Sequence, residues 1–206
     1  MMCDDRDAPV AVAFIDGQNL FQQVKRLFGY REPNFDPLLL HREMCSLAGF
    51  TPGPIRFYTG MPSQKQQPRW HTFWSNRLRA MEEAGVTVTT RPLRYRDHLA
   101  YDENGQIEMH TRPEEKGIDI RIALDAVRMA RRLEMDAAII YSQDQDLNEL
   151  VPEIEAIAAN QQREIQLASA FPTSAKSTFD RGVDRTQWIR FEKCLYDRCL
   201  DRGDYF

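Results

Sequence analysis

The feature that most limits what this chain can fold into is the run Val10 to Ile15 (VAVAFI), which ends at Asp16-Gly17. A short, unbroken apolar segment without polar alternation is a strand buried on both faces, and such strands occur in parallel sheets covered by helices. Asp16-Gly17 then closes it as a turn.

The same punctuation recurs along the chain. Residues from about Gln18 to Phe28 read as a helix, and Pro37 opens a second one carrying Leu38, Leu39, Met44 and Leu47, ended by Gly49 and the Pro52–Pro54 segment. Ile55 to Thr59 is a second strand, and Met61 to Pro68 is a loop. A helix from Trp70 to Ala84 presents Trp70 and Trp74 on one face, most simply toward the core, before Val86 to Thr90 forms a third strand. Residues 91 to 116 read as extended segments around a turn at Asp102-Glu103-Asn104-Gly105. A long helix then runs from about Glu115 to Leu133. Ala137 to Tyr141 is a strand, Leu147 to Asn160 a helix, Glu164 to Ala168 a strand, and Trp188 to Phe191 and Cys194 to Leu200 are a last short strand and helix. Alternating strands and helices predict a three-layer α/β fold with a central, mainly parallel sheet and helices on both faces. The expected division is an N-terminal tail over 1–9, one domain over 10–170, and a C-terminal extension over 171–206 packed on it.

Hydrophobic residues make up 42% of the chain and charged ones 28%, enough for a core and a solvated surface. Cys3, Cys45, Cys194 and Cys199 have no zinc spacing and read as reduced thiols, and the acidic, polar start MMCDDRDAP is not that of a signal peptide. No window approaches a membrane span. A soluble, cytoplasmic protein is expected. The net charge of −4 weighs against a nonspecific nucleic-acid coat, yet it is compatible with an enzyme whose acids surround a metal.

Ligands of open α/β sheets bind beyond the carboxyl ends of the strands. Asp16 follows the first strand directly, and Ser142, Asp144 and Asp146 follow the strand AAIIY. Each group has a bland alternative: Asp16 can serve a turn, and Asp146 with Glu149 can cap a helix. The helix wheel adds a third contribution. Ile118, Ile122, Ala126, Met129 and Leu133 share one face, and Asp119 falls inside that apolar arc in the first turn, so it is expected to point toward the sheet. A carboxylate there needs a hydrogen bond, a cation or a pair, and Lys116 could supply the pair. Asp125, between Arg121 and Arg128, reads as a surface ion-pair member. Three acidic elements from separate parts of the chain at one sheet edge favour a hard cation, Mg²⁺ or Mn²⁺, over independent accidents. Such an ion usually shares its sphere with waters and substrate phosphates.

The motifs FIDGQN (Phe14–Asn19), KGID (Lys116–Asp119) followed by IALDA, and SQDQDL (Ser142–Leu147) resemble those of NYN domains, relatives of the PIN nucleases. The resemblance covers roughly residues 10 to 170. It implies a Rossmann-like nuclease core that hydrolyses RNA phosphodiester bonds with Mg²⁺ or Mn²⁺, as an endoribonuclease. Carried over motif by motif, Asp16, Asp119, Asp144 and Asp146 would be catalytic and metal-holding, and Asn19, Ser142 and Lys116 would orient metal or phosphate. Gln143 stands where such segments often carry Gly, which puts the loop's geometry in question if a positive φ is needed.

Arg91, Arg94, Tyr95 and Arg96 form a basic, aromatic cluster that could track phosphates and stack a base, or simply be a solvated face. Two other functions stay open from sequence: a noncatalytic RNA-binding or scaffold module, and a Mg²⁺-dependent phosphatase on a similar sheet. PIN-like nucleases also include toxins restrained by a partner, so a protein inhibitor or a homo-oligomer joins RNA among the expected partners. No membrane partner is expected.

Overall fold

A computed structural model describes residues 8–101, 106–175 and 177–206. The first seven residues of the expected tail and the expected turn at 102–105 lie outside the described residues.

Six strands form one parallel sheet: β1 (Val10–Asp16), β2 (Thr51–Met61), β3 (Thr87–Pro92), β6 (Ala137–Tyr141), β7 (Gln166–Pro172) and β8 (Gln187–Phe191). Their order is β3-β2-β1-β6-β7-β8. The chain therefore steps outward from β1 to β3, crosses over, and steps outward again from β6. Residues beyond 170 supply β8 at the edge of this sheet. Between β3 and β6 the chain makes a separate antiparallel hairpin, β4 (Arg94–Tyr101) and β5 (Ile107–Glu114).

Helices cover both faces, as the apolar strands require. Side chains of β1 alternate: Ala11, Ala13 and Ile15 face one core, and Val12 and Phe14 face the other. The first core is covered by α1 (Gly17–Phe28), α2 (Pro37–Ala48), α3 (Pro68–Glu83) and Tyr196 of α6 (Lys193–Arg198). The second is covered by α4 (Ile118–Arg131) and α5 (Leu150–Asn160). In α2 the buried face is Leu40, His41, Met44 and Cys45, while Leu38 and Leu47 are exposed.

Three expectations need correction. The helix expected from Glu115 begins at Ile118, because Gly117 takes a left-handed conformation (φ 77°) that ends the preceding extended backbone and starts the helix. The helix expected from Leu147 begins as a 3₁₀ turn, Gln145–Glu149, and becomes α-helical at Leu150. Asp125 is not a surface residue: it is 1% exposed, and its carboxylate accepts from the Tyr58 hydroxyl on β2 (3.0 Å), Arg121 Nε (3.1 Å) and Arg128. The wheel placed it beside arginines correctly, but it could not show that α4 lies on the tyrosine of a strand.

Candidate functional site

The strand order reverses direction between β1 and β6, where the two neighbours' connections leave toward opposite faces. At such a switch point the loops part and leave a crevice outside the carboxyl ends. Asp16 ends β1 at this point, and the Ser142–Asp146 loop leaves β6 beside it.

Asp16 is 5% exposed. Its Oδ1 accepts the backbone N–H of Asn19 at 3.0 Å, which makes it the N-cap of α1, and its Oδ2 accepts the Ser142 hydroxyl at 3.4 Å. Ser142 Oγ in turn accepts the N–H of Asp144 (3.1 Å), and Asn19 Oδ1 accepts the N–H of Gln143 (3.1 Å). Two polar side chains thus lace the β1–α1 junction to the loop after β6. Asp144 caps the 3₁₀ turn by accepting the N–H of Asp146 at 3.0 Å. The capping role weighed for Asp146 therefore belongs to Asp144. Among the described residues, the non-glycine positions of positive φ are Leu133, Gln162 and Arg185, so Gln143 occupies its place without strain.

Asp16, Asp119 and Asp144 line one cleft of about 320 Å³ together with Lys116 and Glu115. Asp119 is half-buried in the first turn of α4. Asp146 is exposed and lines the adjoining groove between α4 and α5, which Asp119 also borders. Lys116 is exposed and lies 4.0 Å from Glu114; the alternative pair with Asp119 does not form. Arg94 and Arg96 are exposed on the hairpin, but strand alternation sends Tyr95 to its other face, where its hydroxyl accepts the N–H of Ser63. Arg91 lies beside Gly117 at the mouth of the cleft.

Glu115 was not singled out from sequence. It leaves the line of α4 and its carboxylate accepts the N–H of Gly60, at the end of β2. Gly60 allows this: a Cβ there would lie 2.8 Å from Glu115 Oε2 and 2.2 Å from a Leu93 methyl. The only sequence signal was proximity to KGID, since the glutamate's partner is 55 residues away.

Burial pushes Asp16 up to about 6; the Asn19 N–H opposes this and the Asp144 charge adds to it. Burial likewise pushes Glu115 up to about 7, with Asp16 and Asp119 contributing. These acids raise one another because the cleft supplies little positive charge: Lys116 is its one cationic side chain among the described residues, and it is turned to Glu114. An all-oxygen, mutually repelling set is suited to a hard divalent cation. Among the described residues no three His, Cys, Asp or Glu side chains are gathered into a ready-made metal cage. The donors present thus fit a partly hydrated ion, which needs only one or two direct carboxylates.

A family model described as NYN domain matches residues 9–187. The chain belongs to the NYN domain family. The match spans β1 to the first residue of β8, so it includes every acid of the cleft and the whole switch point. No curated protein matches this NYN domain chain at a significant level. Among the described residues no helix is long and apolar enough to cross a membrane.

Proposed function

We propose that this NYN domain is a divalent-metal-dependent endoribonuclease. RNA is its substrate, and Asp16, Asp119 and Asp144 are the acids that would hold Mg²⁺ or Mn²⁺, with Asp146 at the margin. The observation that carries this reading is the charge-uncompensated pair of buried Asp16 and half-buried Glu115 at the switch point of a domain from a nuclease-related family. When bound, the ion would offset charge on the scissile phosphate and acidify a water.

The chain's own groups do the rest. Asn19 and Ser142 hold the Asp16 carboxylate in one orientation through the backbone they lace together. Glu115, with one oxygen committed to the Gly60 N–H, keeps the other free to take a proton from the attacking water. The N-terminus of α4 has no side-chain cap and borders the cleft, so its backbone N–H groups are available to a phosphate oxygen. Lys116 sits at the rim for the same purpose, and Arg91, Arg94 and Arg96 extend the positive charge toward flanking phosphates.

The test is cleavage of an end-labelled single-stranded RNA with Mg²⁺ or Mn²⁺. Internal cuts that EDTA abolishes, and that Asp16→Asn suppresses while circular dichroism stays unchanged, are expected. Undiminished cutting by Asp16→Asn in EDTA would overturn the proposal, as would hydrolysis of phosphomonoesters alone. Binding of RNA without any cutting would leave a noncatalytic module.

A further inference from the structure

Beside the acidic cleft lies a second cavity, of about 160 Å³, bounded by Gln18, Phe21 and Gln22 of α1, Gln67 and Trp70 at the start of α3, and the Thr59–Gly60 end of β2. The two cavities share a wall. Gly60 lines the second cavity while its N–H is given to Glu115 in the first. Gln18 stands in the helical turn that Asp16 caps.

The second cavity's chemistry is specific. Three glutamine side chains reach it, and none makes a hydrogen bond among the described residues. An amide offers a donor and an acceptor side by side, the pattern that reads the edge of a base. Trp70 is half-buried, and edge contacts with Phe73 (5.5 Å) and Phe206 (5.6 Å) brace its ring. Its indole N–H is likewise unspent. A purely apolar cavity at this place would be a packing gap between α1 and α3. A braced aromatic ring with several uncommitted amides is instead what holds an unstacked base, by stacking plus edge hydrogen bonds.

We propose that this cavity is a nucleobase subsite. It receives one unpaired base of the RNA whose phosphate lies over Asp16 and Glu115, so it rests on the ribonuclease reading above. Two consequences follow: the nucleotide must be single-stranded to be accepted, and its identity sets where the chain is cut.

The experiment uses the full chain and a short single-stranded RNA, with each of the four bases or an abasic residue at successive positions around one cut site. Removing the base at one position should lower kcat/KM roughly ten- to hundredfold, as loss of one stacked base does. Gln22→Ala and Gln67→Ala should flatten the preference among bases, and Trp70→Leu should reduce the penalty of the abasic residue. The two glutamine variants alter partly or fully exposed side chains, so they report even if Trp70→Leu fails to fold. Binding of the same RNAs to Asp16→Asn in EDTA, followed by fluorescence anisotropy, gives a readout independent of cutting. Base-dependent binding together with failure of the unmutated chain to cut the same RNAs in Mg²⁺ or Mn²⁺ would sustain the subsite and overturn the nuclease reading. Cleavage indifferent to every base and to the abasic residue would overturn the subsite and leave the nuclease reading intact.

Discussion

Asp16 and Asp125 are both buried, with 5% and 1% of their surface exposed, yet they live in opposite surroundings. Asp125 meets two guanidinium groups and a tyrosine hydroxyl, so its charge is neutralised by the fold itself. Asp16 meets one backbone N–H and one serine hydroxyl on its own oxygens, and beyond them more carboxylates. A buried acid supplied with cations ties elements together; one surrounded by acids costs stability unless something outside the chain supplies the charge. That difference, more than burial, separates a structural aspartate from the one proposed to hold metal.

The comparison breaks first on activity. Asp16→Asn should lower RNA cleavage roughly a hundredfold or more, the scale of losing one well-placed electrostatic group. Asp125→Asn should leave the rate per folded molecule within a few-fold, with the folded fraction taken from circular dichroism. Equal losses in the two variants would erase the distinction.

Stability should run the other way. Asp125→Ala removes the acceptor of the buried Tyr58 hydroxyl and leaves two arginines facing each other, though partial exposure of both arginines softens the loss. A decrease of about 2–3 kcal/mol in urea denaturation is expected. No change would mean that the Asp125 network contributes nothing net.

Asp16→Asn should instead stabilise the metal-free protein at neutral pH. Below about pH 3 the Asp16 carboxyl is protonated in both the folded and the unfolded chain, and it carries no penalty. As pH rises from 3.8 toward about 6 the unfolded chain releases this proton first, so folded stability falls through that window and stays reduced above it. Thermal unfolding in EDTA should therefore show the variant more stable by roughly 2–3 kcal/mol at pH 8, with the gain vanishing below about pH 3. A gain independent of pH would point to packing rather than charge. The smallest effect belongs to Tyr58→Phe, which removes one hydrogen bond from a carboxylate that retains two arginines; about 1 kcal/mol is expected from denaturant unfolding.

Much of the site was legible because it is local. Asp16, Ser142 and Asp144 each follow a strand whose apolar composition is unmistakable, and parallel strands put their carboxyl ends on one side. Asp119 could be placed because a helix has a fixed period. What escaped was set by distant partners. The helical pattern starts at Glu115, but its carboxylate is held by the Gly60 N–H; the pattern puts Asp125 on the surface, but Tyr58 covers it. Asp144 and Asp146 stand two residues apart in one loop, and it is the 3₁₀ turn that makes Asp144 the cap and Asp146 its neighbour. Trp70 and Trp74 share a helical face and both line the cavity, yet only Trp74 is buried.

By itself the sequence determined the layered α/β architecture, the parallel sheet and the edge at which acids gather, because periodicity and strand polarity are properties of neighbours along the chain. Only the tertiary structure decided the strand order that opens the crevice between β1 and β6, which acids lack a counter-charge, and what lies behind the wall at Gly60. Those depend on which residues far apart in the chain meet in space, and burial and Coulomb interactions act through that distance alone.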